Sequence, residues 1–176
     1  KFNNEPKEYF CILIGKIKKK NSSNLVPTVR IHSQCVTGDI FNSLKCDCGE
    51  QLNKSLDIMV KNGEGMIIYL PQEGRDIGLT NKIRAYKLQD DGLDTVDANL
   101  TLGFRDDERS YDVAVAILKK LNFKKINLIT NNPNKLKKLN EDGIEVLKII
   151  KLNIQPNEIN MKYLNTKKDK SNHIFD

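Results

Sequence analysis

Apolar positions along this chain fall into short blocks, some contiguous and some at helical spacing, separated by polar punctuation. Tyr9 to Ile17 is rich in apolar and β-forming residues and predicts a strand. Lys18 to Asn24 is polar and predicts a turn or mobile loop. Thr28 to Ser33 predicts a short strand. Gln51 to Lys61 carries Leu52, Leu56, Met59 and Val60 at helical spacing. Gly63 and Gly65 punctuate, and Met66 to Leu70 reads as a buried strand. Helical spacing returns from Ile77 to Leu88 through Ile83 and Tyr86. Tyr111 to Leu121 is amphipathic, with Val113, Ala116, Ile117 and Leu121 on one stripe. Lys125 to Thr130 predicts a strand, Asn134 to Asn140 a helix and Ile144 to Ile150 a strand. Strands alternating with helices predict an α/β sheet with helices on its faces. The last stretch, residues 164–176, is polar and lysine-bearing and reads as a tail or interface arm. No internal repeat is present.

A chain of 176 residues suits one domain with a sizeable core. No apolar run is long enough to span a bilayer and no signal-peptide pattern opens the chain, so no membrane association is expected. The net charge is +6, contributed by lysines such as Lys16, Lys18, Lys19 and Lys20. A basic balance suits an anionic substrate. With no tryptophan and no basic–aromatic interleaving, a nucleic-acid partner is not expected. The chain begins at Lys1 rather than at methionine, which predicts a trimmed or partial chain.

Cysteine spacing changes the picture most. Cys46 and Cys48 are one residue apart and Cys35 lies eleven positions upstream of Cys46. Thiolates are soft ligands that suit zinc, and a site with three protein ligands keeps a fourth position for water. Such a water has its pKa lowered toward neutrality and becomes a nucleophile. Two other readings stand beside this one. Cys11 as a fourth ligand gives a closed structural zinc site, although its apolar surroundings read as a buried small hydrophobe. A disulfide framework is the other, but adjacent C-x-C thiols bridge poorly. Reduced, metal-ready cysteines imply a reducing, cytoplasmic compartment.

Ligands in open α/β sheets sit beyond the carboxyl ends of strands. Met66 to Leu70 runs into Pro71-Gln-Glu-Gly-Arg-Asp-Ile-Gly78, and Lys125 to Thr130 into Asn131-Asn-Pro133. Asn132 suits a helix N-cap and Pro133 the first helical position, which with Lys135 forms a candidate anion site or simply a cap.

Seven segments together resemble GTP cyclohydrolase II, in family order and at family-like spacing. They are Arg30-Ile-His-Ser-Gln-Cys-Val-Thr-Gly-Asp39, Lys45-Cys-Asp-Cys-Gly-Glu-Gln51, Gln72 to Leu79, Asn81 to Gln89, Asp94 to Asn99, Asp107-Glu-Arg109 and Leu128 to Pro133. The resemblance runs from about Tyr9 to Phe175. It implies a three-layer α/β/α sandwich with a mixed sheet, one catalytic domain over residues 1–176 lacking part of its N-terminus, and a homodimer. The implied reaction is the first step of riboflavin biosynthesis. GTP is hydrolysed at the imidazole ring of guanine to 2,5-diamino-6-(5-phosphoribosylamino)pyrimidin-4-one, formate and pyrophosphate. One zinc per chain is implied on Cys35, Cys46 and Cys48, with magnesium accompanying the triphosphate. Some members of the family carry a dihydroxybutanone phosphate synthase domain upstream, which this sequence does not show.

The resemblance also assigns roles. Asp107 is the proton acceptor, and Tyr86 orients or polarises the reacting group. Arg109 is the nucleophile proposed for the α-phosphate. Because guanidinium is almost always protonated, the residue chemistry favours a charge clamp there. A surface salt bridge between Asp107 and Arg109 is the plain alternative. GTP contacts are implied at Arg30, Ile31, His32, Ser33, Gln34, Gln51, Glu73, Gly74, Arg75, Thr95, Thr130 and Lys135. Glu73 is the candidate for accepting from the guanine N1–H and N2 edge. His32 also reads as a zinc ligand by nearness to Cys35, but three thiolates already fill a site with one open position. Gln34 departs from the glutamate usual in the family. A nucleotide-binding module without catalysis and a structural-zinc protein that binds nucleic acid are the competing classes. Intact Tyr86, Asp107 and Arg109 argue against the first.

Overall fold

The structure is a computed structural model that describes residues 7–15, 17, 26–161 and 164. The predicted loop Lys18 to Asn24 lies outside the described residues, as does the tail apart from Leu164. The strands are β1 (Phe10–Gly15), β2 (Thr28–Ser33), β3 (Glu64–Leu70), β4 (Lys125–Ile129) and β5 (Glu145–Ile150). The helices are α1 (Val36–Asp39), α2 (Cys48–Asn62), α3 (Gly78–Asp90), α4 (Thr95–Thr101), α5 (Asp112–Lys120) and α6 (Pro133–Glu141).

One mixed sheet runs in the order β1-β3-β2-β4-β5. Strands β2 to β5 are parallel along this order, and β1 pairs antiparallel with β3 from Phe10 opposite Tyr69 to Gly15 opposite Glu64. The central strands β2 and β3 are buried on both faces and carry near-continuous apolar or enclosed residues, as a parallel sheet covered by helices requires. Val29, Ile31, Met66, Ile68 and Leu128 pack with Tyr111, Leu118 and Leu139 of the α5 and α6 side. On the other face Ile67 and Ile129 meet Met59, with Leu52 and Leu56 of α2 against them. The three layers are those expected.

Local chemistry explains the boundaries. Asn132 caps α6 by accepting from the Asn134 N–H at 2.9 Å, with Pro133 at the first helical position. Asp94 caps α4 by accepting from the N–H groups of Val96 and Asp97. This short helix is not expected from its polar sequence. The strand predicted to Ile17 ends at Gly15. In α5 the buried face is Ala114, Val115 and Leu118, while Ala116 is exposed. Val113, Ile117 and Leu121 flank that face rather than centre it. No helix among the described residues is long and apolar enough to cross a membrane.

Candidate active site

The side-chain alternation of β2 decides what reaches the site. Val29 and Ile31 point into the α5 side of the core. Arg30 and His32 therefore face the opposite layer, where α1 and the start of α2 approach the carboxyl ends of β2 and β3. There Cys35, Cys46 and Cys48 place their sulfurs within 4.8 Å of one another. Cys35 and Cys46 sulfurs are 3.6 Å apart, and all are free thiols. Tetrahedral thiolates about 2.3 Å from zinc lie about 3.8 Å apart, so the donor set fits the ion in chemistry and spacing. Cys11 is elsewhere, on β1 opposite Ile68 and against the core, which removes it from this cluster. Burial pushes the Cys11 thiol up.

Two glycines let the thiols converge. A Cβ on Gly38 would sit 3.0 Å from the Cys46 sulfur and 3.1 Å from the Cys35 sulfur. A Cβ on Gly49 would sit 2.2 Å from the Gly38 carbonyl oxygen. Hence α1 and α2 touch backbone to backbone over the cluster. The three thiols are not equivalent. Hydrogen bonds from Cys46 and Cys48, aided by the charge of Lys82, hold the Cys35 thiol well below its ordinary value. Donating to Cys35 raises Cys46 to about 11 and carries Cys48 well above the usual thiol range.

A polar frame surrounds the cluster. Asp39 accepts from the Cys35 N–H at 3.0 Å and from the Tyr69 hydroxyl at 2.8 Å. His32 Nε2 lies 3.0 Å from both Asp39 oxygens, so this ring is committed to Asp39 and stands outside the thiol cluster. Burial pushes the His32 imidazole down against the opposing pull of Asp39. The Glu73 carboxylate accepts from the Val36 N–H at 2.6 Å on one oxygen, and from Lys82 Nζ at 2.7 Å and the Gly74 N–H at 3.2 Å on the other. One acceptor direction is left for a ligand. Lys82 also donates to the Cys35 sulfur at 3.0 Å and to Thr37 Oγ1 at 2.8 Å. Burial opposes the Lys82 charge, but the Cys35 sulfur and Glu73 outweigh it and hold its pKa above the usual lysine value. Tyr86, one helical turn on, is raised to about 12 by burial, so its phenol keeps its proton near neutrality.

Beyond the cluster opens a cleft at the carboxyl ends of β2 and β3. Arg30, His32, Ser33, Gln34, Gln51, Glu73, Gly74, Arg75, Thr95, Tyr86 and Arg109 line it with the three cysteines. Arg30 is buried and donates to Gln51 Oε1 at 2.5 Å, and Gln51 in turn donates to Asp47. Gly74, Arg75 and Asp76 all have positive φ, 62°, 61° and 72°. Each non-glycine residue there costs about 1–2 kcal/mol. The loop is pinned by Arg75 Nη1 to the Asp106 carbonyl at 2.9 Å and by the Glu108 N–H to the Arg75 carbonyl at 3.1 Å. Arg109 grips Asp107 in a fork, Nε to Oδ1 at 2.7 Å and Nη2 to Oδ2 at 2.5 Å. Burial works to raise the Asp107 pKa, but Arg109 holds it below the usual carboxylate value.

Four sequence-predicted positions stand off the cleft wall. Ile31 is a core residue whose carbonyl accepts from Lys135 Nζ at 2.7 Å. Lys135 is thereby buried at the α6 start, 5.5 Å from the Tyr111 ring centre. Thr130 Oγ1 accepts from the Asn132 N–H at 3.0 Å and shapes the turn before α6. Asp107 reaches the cleft through Arg109. Sequence reasoning missed Lys82, Asp39, Gln72 and Asn99. Only Lys82 had a usable signal: it lies four residues before Tyr86, on the same helical face.

This arrangement defines a class: an α/β enzyme domain with a three-cysteine cluster able to hold a metal ion at the strand carboxyl ends, opening into an arginine-lined cleft. The family profile of GTP cyclohydrolase II matches residues 1–151. GTP cyclohydrolase-2 of Picrophilus torridus is 50% identical over 173 residues, 98% of this chain and 88% of that protein. GTP cyclohydrolase-2 of Buchnera aphidicola subsp. Baizongia pistaciae is 52% identical over 169 residues, 96% of this chain and 83% of that protein. Riboflavin biosynthesis protein RibBA of Chlorobium phaeovibrioides is 52% identical over 147 residues, 84% of this chain and only 36% of that longer protein. The chain belongs to the GTP cyclohydrolase II family of enzymes.

Proposed function

We propose that this chain hydrolyses GTP to formate, pyrophosphate and 2,5-diamino-6-(5-phosphoribosylamino)pyrimidin-4-one, opening riboflavin biosynthesis. The observation that carries the reading is the convergence of Cys35, Cys46 and Cys48 at the wall of a cleft that also holds Tyr86 and Arg109. The three thiols would hold one zinc ion. A zinc ion bound there supplies Lewis acidity and the means to deprotonate water near neutral pH.

The chain's own residues do the remaining work. Tyr86 presents a protonated phenol beside the thiols and orients the reacting ring through a donated hydrogen bond. Glu73, with one acceptor direction left, takes a donor from the guanine edge. Arg75 and Arg109 supply fixed positive charge for phosphates, which arginine binds in a fork. As the α-phosphate takes the Arg109 fork, Asp107 is released from its partner and becomes the proton acceptor. Magnesium enters with the triphosphate. The phosphates' own oxygens would carry that ion. The same reading takes residues 1–176 as one catalytic domain that works as a cytoplasmic homodimer. It also allows fusion to an upstream synthase domain, as the greater length of the RibBA relatives suggests.

The test is turnover. Metal-loaded protein incubated with GTP and magnesium should release formate and pyrophosphate together with the ring-opened product, and ATP should yield none of them. Tight GTP binding without formate would place the chain among binding modules instead.

A further inference from the structure

The most buried side of α3 is not apolar. The helix turns Leu79 and Ile83 outward, at 42% and 50% exposure, and buries Lys82 beside Ala85. Burying an unpaired ammonium is strongly unfavourable, so this lysine must be held by what it touches. Its three N–H donors meet three acceptors: the Cys35 sulfur at 3.0 Å, Thr37 Oγ1 at 2.8 Å and Glu73 Oε1 at 2.7 Å. Glu73 is itself anchored to the Val36 N–H at 2.6 Å, directly after Cys35. One cation therefore ties α3, the Glu73 loop and the first thiol together.

Charge balance gives this contact a purpose. Three thiolates around a dication, with the Glu73 carboxylate beside them, leave two units of negative charge in a buried site, of which one ammonium cancels one. We infer that Lys82 is a positioning residue of the metal centre, whose ammonium offsets part of that excess and hydrogen-bonds the Cys35 thiolate. An N–H donor on a ligating sulfur draws electron density from it. The metal is left more electrophilic, and Cys35 becomes the weakest donor of the three. Partners of this kind around a metal's ligands typically change affinity or activity by about 10- to 100-fold when removed. The inference rests on the metal reading above and adds to it which side chain tunes the site and through which ligand.

Cobalt(II) is the probe, because its sulfur-to-metal charge-transfer bands report the ligand sulfurs directly and independently of turnover. Wild-type protein should take up one cobalt with these bands present. In Lys82→Met the bands should move to longer wavelength, since a sulfur without its donor holds its lone pair less tightly. Zinc affinity by chelator competition should fall about 10- to 100-fold, because losing the tie that fixes Cys35 against Glu73 outweighs the stronger donation of a freed sulfur. Lys82→Gln, which keeps an N–H donor but no charge, should lie between the two. Circular dichroism establishes folding, and if Lys82→Met does not fold, Lys82→Gln decides by the same bands. Bands unmoved in a folded variant would overturn the role of Lys82 while leaving the metal centre intact. A wild-type protein that takes up no cobalt or zinc would overturn the metal reading itself.

Discussion

Replacing Gly49 by alanine sets two known effects against each other. Helix propensity favours the change by up to about 1 kcal/mol, because alanine is the better helix former. Packing opposes it. The new Cβ would lie 2.2 Å from the Gly38 carbonyl oxygen and 2.9 Å from its carbon. Both neighbours are backbone, so no side chain can rotate away, and α1 must retreat from α2 by about 1 Å to restore ordinary van der Waals separation. Overpacking of this kind costs about 1–3 kcal/mol, and a backbone neighbour puts it at the upper end. The net expectation is a loss of about 2 kcal/mol. For a chain of this size that lowers the melting temperature by about 4–8 °C. The retreat also draws Cys35 away from Cys46 and Cys48, so zinc affinity should fall with stability. Thermal and urea unfolding of reduced, metal-free protein reads the first effect, and chelator competition reads the second. Asn53→Ala, at an exposed position of the same helix, reports propensity alone and should be neutral or slightly stabilising. A Gly49→Ala protein as stable as wild type, or more so, would refute the close-approach argument.

Other outcomes follow from the same geometry. Folded Tyr86→Phe should keep its metal and lose formate release by about 10²-fold or more. Arg109→Ala should lose pyrophosphate release by about 10²–10³-fold, and formate as well if phosphoryl cleavage comes first. Wild-type release of both products from Arg109→Ala would return Arg109 to a plain salt bridge with Asp107. Cys11→Ser should retain one metal per chain and Cys48→Ser should lose it; metal analysis decides. Burial lowers the His32 pKa, so the unfolded chain protonates first, near its ordinary pKa of about 6.5. Its stability contribution is whole above that pH and falls as the pH drops below it. Ring-nitrogen NMR, with His173→Asn to assign the two histidines, should show His32 titrating below the ordinary imidazole value; titration above it would contradict the buried assignment.

Much of the sheet was legible because buried parallel strands are short apolar runs with clear ends, as in Met66 to Leu70 and Lys125 to Ile129. The α6 start was legible because Asn132 suits an N-cap and Pro133 the first helical position. Where tertiary contacts override periodicity, the sequence pattern misled. Helix α2 begins at Cys48, ahead of its first periodic leucine, where apolar spacing gives no signal. Helix α3 buries Lys82 and exposes Ile83, the reverse of its hydropathy, because its inner face meets a carboxylate and a sulfur. The thiol cluster was readable from chemistry, since few arrangements want three cysteines at that spacing. Asp39 was not, because an isolated aspartate is ordinarily solvated and only the fold brings it to Cys35; for Lys82 the helical spacing from Tyr86 was the only signal. Ile31 shows the converse: it sits within a functional motif, yet contributes its carbonyl and its core packing.

The central claim is that the three-thiol centre opens the guanine ring. GTP labelled with ¹³C at C8 tests it directly, because that carbon leaves as formate and is followed by NMR. Zinc-loaded protein should convert the C8 signal to ¹³C-formate, stripped protein should not, zinc should restore the conversion, and Cys48→Ser should remain inactive with zinc present. Labelled formate released at the wild-type rate by Cys48→Ser, or none released by the zinc-loaded wild type, would contradict the account.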